Sequence, residues 1–516
     1  MGSQANNNDA KAPPLPDATS ETLVLTRPTD EEKRRTWTLN YREWGGALSL
    51  DQYLQREPYV TTIPLSRDGG MAHWILTTQA QGTTASPPSL SPSPRPVLAS
   101  CESIRKRVLV ARPPPSPRGG GGGSGGSDAD DGAQVTEAIG YGIGSVYTYP
   151  ECRGRSYAKR MLKELGVALK KAQPGTRDDG AAAATTTAKA GAGGGQEASR
   201  GGQDPGSGSG SGLGSEPQVV CSALWSDIGK RFYASKGWHP FPSVHVSFPA
   251  SSNSSITNPN PNPRVALEPI TYANLASLAA LDEAQLRRRL ARTAARTGRT
   301  AFAFAPDHDA LRWHLYRDGF VAAFVHGGAA AEEEEESAAA APPGEMKTKG
   351  VVATTAASGE EKRRVWAVWA RNYQARPTER PEDRARKNTL YILRLVVEGA
   401  DEDAGEGGDG DGEQKALLRE ALAAVLGAAR AEAARWDCGK VDLWNPTPLV
   451  RRLLEGIADG GGDGGGDGVL PREWVDRDTD SIPSLMWYGL PGDGGEEEGE
   501  GEGEVEWVAN EKYCWC

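Results

Sequence analysis

Two guanidinium groups and a run of small residues separate an extended stretch from a one-faced helix in YTYPECRGRSYAKRMLKELGVALKK, Tyr147 to Lys171. Such a turn suits a phosphate ligand. Ala158, Met161, Leu162, Leu165, Ala168 and Leu169 recur at the three- and four-residue spacing of a helix with one apolar face. The first amides of a helix have no acceptor inside it and carry about half a unit of positive charge, which favours an anion. The turn runs Arg153, Gly154, Arg155, Ser156, Tyr157, Ala158. Its small residues let a ligand approach the backbone, and its arginines add charge.

The spacing Arg153-x-x-Ser156-x-Ala158 resembles the coenzyme A loop of the GNAT superfamily of acetyltransferases, where glycine is usual at the position of Ser156. Downstream, VVCSALWSDIGKRFYASKGWHPFPSVHVSF (Val219 to Phe248) reads as strand, helix, strand, and is similar to the second half of the same pattern. Gly237 would end that helix as a left-handed cap. The resemblance implies acetyl-coenzyme A as the acetyl donor, held by Arg153 through Ala158 together with Val146, Tyr147 and Thr148 on the preceding strand. It implies that a backbone N–H near Val146 or Tyr147 meets the oxyanion. It also makes Tyr233, in FYASKGW, the acid that protonates the leaving thiolate.

The strings RPVLASCESIRKRVLV, LWSDIGKRFYASKGWHPFPS, DHDALRWHLYRDGF, VDLWNPTPLV, DSIPSLMWYG and EWVANEKYCWC resemble the fungal-type lysine N-acetyltransferases. This narrower likeness implies a small-molecule acceptor, free L-lysine, acetylated on its side-chain amine in lysine breakdown. The cofactor residues alone do not choose among lysine, another small amine and a protein lysine. A non-catalytic coenzyme A-binding or scaffold protein would carry the same loop.

Attack by an amine requires its deprotonation. A lysine amine with a pKa of about 10.4 is neutral roughly once in 2,500 at pH 7, a cost of about 4.6 kcal/mol, so a carboxylate or water chain must accept the proton. Glu102, in SCESIRKR on a central strand, is the candidate base, and is equally readable as a strand residue paired with Arg105 or Lys106. His308 and His314, in DHDALRWH, are read as capping and packing a helix rather than lining the pocket. The aromatic terminus EWVANEKYCWC is read as a packed final strand, the alternative being a C-terminal carboxylate that serves as base.

These residues need a scaffold, and composition limits how much of the chain can build one. Of 516 residues, 64 are glycine and 36 proline, concentrated in tracts with too little apolar surface to offset ordering entropy. The organisation read from this is a tail at 1–20, a GNAT domain at 21–248, a linker at 249–263 and a second GNAT-like domain at 264–516. Insertions are placed at about 79–96, 112–134, 173–216, 328–362, 399–414, 456–468 and 490–504. The net charge of −11 reflects acids in four of those glycine-rich stretches, leaving a basic remainder suited to an anionic donor. No zinc-finger spacing or basic tail points to nucleic acid. Six scattered cysteines read as reduced thiols of a cytoplasmic protein, with no metal and no membrane segment expected.

The expected fold class is α/β, a twisted mixed sheet with flanking helices, followed by a second α/β domain of degenerate GNAT-like form. In the second half, helical segments are read near Thr271–Leu281 and Asp282–Thr293, with strands at Thr300–Ala305, Phe320–Val325, Val365–Tyr373 and Leu390–Glu398. DLWNPTPLVRRL stands where ALWSDIGKRFYA stands in the first half. The run DEDAGEGGDGDGE occupies the place of the second half's phosphate loop, and its carboxylates would repel phosphates.

Overall fold

The computed structural model describes residues 15–79, 95–114, 134–172, 217–251, 264–326, 347–355, 362–400, 402, 412–458, 470–490 and 505–515. The first half comprises β1 (Leu23–Thr26), α1 (Asp30–Trp44), α2 (Leu50–Val60), β2 (Met71–Thr78), β3 (Ala99–Ala111), β4 (Val135–Thr148), α3 (Tyr157–Lys171), β5 (Val219–Ser226), α4 (Arg231–Ala234), β6 (His239–Pro240) and β7 (Val244–Pro249). The second continues with β8 (Val265–Ile270), α5 (Tyr272–Thr297), β9 (Thr300–Phe304), α6 (His308–His326), β10 (Gly350–Thr355), β11 (Arg364–Asn372), α7 (Pro381–Lys387) and β12 (Thr389–Val397). It ends with α8 (Gly412–Arg435), β13 (Lys440–Trp444), α9 (Pro448–Glu455), β14 (Glu473–Asp476), β15 (Ile482–Trp487) and β16 (Val505–Trp507).

Local chemistry sets the helix starts. Thr29 with Glu32, Ser49 with Gln52 and Thr271 with Asn274 form reciprocal capping boxes that satisfy otherwise orphaned amides of α1, α2 and α5. Helix α5 stops at Gly298, which takes the left-handed conformation with φ 67°.

The described strands form two sheets. One runs β1-β2-β3-β4-β5-β15-β6, with β9 paired to β3 and β16 to β9; the other runs β14-β7-β13-β12-β11-β10-β8. Both repeat one pattern. Four strands pair antiparallel (β1 to β4, and β8, β10, β11, β12), a parallel neighbour follows (β5 or β13), and an antiparallel strand closes the series (β15 or β7). The closing strands are exchanged: β15, from the end of the chain, completes the first sheet, and β7 completes the second.

The described residues therefore form a mixed α/β protein of two mixed sheets with flanking helices, with several elements placed differently from the sequence reading. Strand β7 was expected to complete the first fold and instead pairs with β13 and β14. Strand β9 was expected in the second sheet and instead extends the first along Val108–Ala111. Phe320–Val325 is the end of α6 rather than a strand, because a short apolar run does not declare its period. The two segments split at Asp282 are one helix, α5, since that aspartate is an ion-paired core residue and not a break.

The low-complexity tracts also hold structure in places. Ala18 is buried, Pro16 accepts a hydrogen bond from the Tyr157 hydroxyl, and Ala18 accepts one from Arg160. Strand β10 lies inside the stretch assigned to an insertion at 328–362, and Glu402, in the acidic run, is buried against Arg289 at 2.7 Å. Positions 401 and 403–411 of that run, like 252–263 of the expected linker, lie outside the described residues, and Gly412 and Glu413 open α8.

Helix α3 packs Met161, Leu162, Leu165 and Leu169 onto the first sheet beside Trp238. Helix α8 covers the second sheet with Leu418, Leu422, Val425 and Leu426. Phe302, Phe304, Trp366, Val368 and Trp444 share a third core between them. The five described cysteines are buried and none forms a disulfide. No described helix is long and apolar enough to cross a membrane. Among the described residues no group of three or more His, Cys, Asp or Glu could hold a metal ion.

Candidate active site

Strands β4 and β5 pair in parallel from Ile139 with Val219 to Ile143 with Leu224, then part, although β4 continues to Thr148 and β5 to Ser226. The register of β4 on β3 also slips at this point: Ser100 faces Tyr147 while Glu102 faces Gly144. Ser145 absorbs the extra residue at φ 51°, a left-handed conformation that costs a non-glycine residue about 1 kcal/mol. The bulge and the parting strands open a cleft of about 690 Å³, within the usual range for small-ligand sites.

The phosphate-loop candidates sit at its mouth. Val146, Tyr147, Thr148, Arg153 and Ala158 line the cleft. Gly154 and Ser156 both lie in the left-handed region, at φ 75° and 65°. That explains why glycine suits the position of Ser156. The serine side chain makes no cap hydrogen bond, so it does not occupy the first-turn amides of α3. A Cβ on Gly154 would meet nothing within 4 Å, so the loop faces open space. Arg153 is steadied by a 3.0 Å hydrogen bond from its Nε to the Thr148 carbonyl and by the Tyr147 ring, while Arg155 is exposed. Tyr157 differs from its neighbours: its side chain is buried in the core, leaving only its backbone to face a ligand. These features fit a diphosphate.

Tyr233, in the one-turn helix α4, lines the same cleft. Its ring packs edge-on against Phe232, and its hydroxyl has no hydrogen-bond partner among the described residues. Burial, with the charges of Asp227 and Cys101 adding to it, pushes its pKa above the ordinary tyrosine value, so it keeps its proton through the neutral range.

Glu102 also lines the cleft. Of the two readings the sequence left open, pairing with Arg105 or Lys106 is not what the fold forms. Ser145 Oγ donates to Glu102 Oε2 at 2.9 Å, and His73 Nε2 lies 3.4 Å from Oε1, a close polar contact too poorly aligned for a hydrogen bond. Lys106 turns instead to the Cys514 and Trp515 carbonyls. Burial works to raise the Glu102 pKa, but His73, Ser145 and Arg56 together outweigh it and hold the carboxyl below its ordinary value.

His314 is buried, with Nε2 3.1 Å from the Tyr513 carbonyl, and packs α6 as expected; His308 lies at the start of that helix. The chain's end does reach the site, since Trp515 lines the cleft, whereas Cys516 and its carboxylate lie outside the described residues. Four participants carried no local signal in the sequence. Asp227, just past β5, lines the cleft with its pKa raised to about 6 by burial and by its partner Asp480. Arg56 and Glu57 form a buried pair in the same wall at 2.7 Å, and Arg317 of α6 joins them. The glycines of IGYGIGS were the one visible hint of the bulge.

Residues 245–516 match the family model described as the LYC1 GNAT-like C-terminal domain. Comparison with curated proteins returned no match. Among solved structures, a GCN5-related N-acetyltransferase from Kribbella flavida aligns at 11% identity and a TM-score of 0.37, covering 90% of this chain and 70% of its own. The N-myristoyltransferase of Saccharomyces cerevisiae, with bound myristoyl-CoA, aligns at 9% identity and a TM-score of 0.39, covering 93% and 81%.

Proposed function

The chain belongs to the LYC1 GNAT-like family, N-acyltransferases that draw on acyl-coenzyme A, and from that premise we propose that it moves an acetyl group from acetyl-coenzyme A to the side-chain amine of free L-lysine. The observation that carries the reading is the meeting in one cleft of an anion-facing helix start, two parting parallel strands, an unpartnered phenol and a buried carboxylate.

In the proposed reaction the loop from Arg153 to Ala158 holds the donor's diphosphate, and the gap beyond Ile143 takes its acyl arm. The lysine nitrogen attacks the thioester carbon, forming the C–N bond as the C–S bond breaks. A backbone N–H near Val146 or Tyr147 steadies the charge on the carbonyl oxygen. Glu102 receives the ammonium proton before attack; as the adduct collapses, Tyr233 gives its own proton to the departing sulfur and the second amine proton, passed on through water, restores the phenol. The product is N6-acetyllysine, as in the lysine breakdown enzymes that the sequence resembles.

The test is thiol release from acetyl-coenzyme A across L-lysine, ornithine, polyamines and lysine-containing peptides, with L-lysine expected to be fastest. Faster release with a peptide or polyamine would move the acceptor. No release with any amine, alongside measurable donor binding, would make the chain a coenzyme A-binding protein instead.

Two carboxyls compete for the role of base. Glu102 is ionised at neutral pH and already fixed by two partners, whereas Asp227 shares its surroundings with Asp480. Glu102→Gln should therefore lower kcat/KM about 100-fold, the usual scale for a proton acceptor, and Asp227→Asn less than about tenfold. The reverse order in steady-state assays would hand the role to Asp227.

A further inference from the structure

One wall of the cleft is built by α2, α6 and the C-terminal segment, none of which carries the loop residues. Arg317 stands there with its guanidinium 6.0 Å from the Trp313 ring and 5.6 Å from the Trp515 ring. Among the described residues it forms no hydrogen bond and no ion pair. Its cationic neighbour is committed: Arg56 Nε and Nη2 both donate to Glu57 Oε1, at 3.0 and 2.7 Å, and Nη2 also reaches the Trp44 carbonyl. Glu57 uses only that one oxygen, and Oε2 has no hydrogen-bond partner among the described residues.

Arg317 is half-buried, and the carboxylates of Glu57 and Glu102 act on it only from beyond contact distance, so its donors stay open; planar forks of this kind favour carboxylates. Burial, with the nearby charge of Arg56, lowers the pKa of Arg317 to about 10, which still leaves it charged at neutral pH. The wall thus offers one open cationic fork and one open carboxylate oxygen.

We propose that Arg317 binds the α-carboxylate of the acceptor, with Glu57 Oε2 facing its α-ammonium, so that the cleft selects a free zwitterionic amino acid over a lysine embedded in a peptide. The flanking Trp313 and Trp515 rings exclude water from the pair. This inference rests on the acetyl-transfer reading above and deepens it by assigning the residues that choose the substrate.

The experiment compares L-lysine, L-lysinamide and Nα-acetyl-L-lysine as acceptors for the full-length protein and for Arg317→Met and Arg317→Lys. Lysine should exceed lysinamide in kcat/KM by about 100-fold, as expected for loss of one buried charge-assisted pair, with most of the difference in KM. Arg317→Met should bring that ratio toward one while leaving the Kd for acetyl-coenzyme A within threefold, and Arg317→Lys should restore part of it. Equal use of lysine and its amide by the unmodified protein would overturn the inference even if the variants fail to fold. A ratio unchanged in Arg317→Met would do the same. If no amine is acetylated, the transferase reading falls by itself. Calorimetric titration of L-lysine against lysinamide in the presence of coenzyme A then still reads the carboxylate contact, equal affinities rejecting it.

Discussion

Tyr233→Phe should lower kcat about 1,000-fold, near 4 kcal/mol of barrier, while the Kd for acetyl-coenzyme A stays within threefold. The ring remains in the core cluster it already fills, so the fold has no reason to change. What disappears is a protonated hydroxyl with no partner among the described residues, in the cleft where a thiolate must leave. A thiolate expelled without a proton is a poor leaving group. The same variant should therefore recover most of its rate with an acetyl donor whose thiol is already acidic, such as an aryl thioester. Because burial raises its pKa, Tyr233 should contribute no alkaline limb to the pH profile in the neutral range. Unchanged turnover with acetyl-coenzyme A, or equal loss with both donors, would remove Tyr233 as the acid.

Arg394→Met should destabilise the protein by about 3–5 kcal/mol, the cost of stripping the counter-charge from buried acids. Arg394, on β12, donates through Nε and Nη2 to the Asp282 carboxylate of α5 at 2.8 and 2.7 Å, and through Nη1 to Glu511 in the last residues of the chain. Glu511 Oε2 in turn accepts from the Leu395 amide at 3.1 Å. All three side chains are 2% exposed or less. Burial raises the Glu511 pKa to about 7 against the pull of Arg394. An acid whose folded pKa is raised favours the fold while protonated and loses that contribution as pH rises through the folded value. The deficit of the variant should therefore shrink toward pH 5, where a neutral Glu511 needs no partner. Denaturant melts at pH 5 and pH 8 measure both effects, and Arg394→Met combined with Asp282→Asn and Glu511→Gln should recover most of the loss. A single-variant deficit under about 1 kcal/mol would show that the cluster holds nothing together.

How much of this was legible beforehand depended on whether the signal was local. The loop at Arg153–Ala158 and the apolar stripe of α3 declare themselves within twenty residues, and strand-helix-strand around Tyr233 was readable for the same reason. Non-local facts were not legible. That β7 and β15 change places depends on pairing across most of the chain, and nothing in VHVSFP or IPSLMW records which edge each will meet. Phe320–Val325 misled because six apolar residues in a row fit either period. Arg317 resembled any helical arginine until the fold set it, without an ion-pair partner among the described residues, between two tryptophans. Ser156 looked like a flaw in the loop, yet its left-handed backbone is the conformation that the usual glycine would supply.

The exchanged strands bear on how the protein is made. A ribosome releases β5 long before β15, so the first sheet stays incomplete until that distant strand has emerged. Through that interval the outer edge of β5 bears unpaired backbone groups, a surface on which nascent chains can associate wrongly. Contacts so distant along the chain also make for slow assembly, and they deny the N-terminal half a finished state of its own during translation.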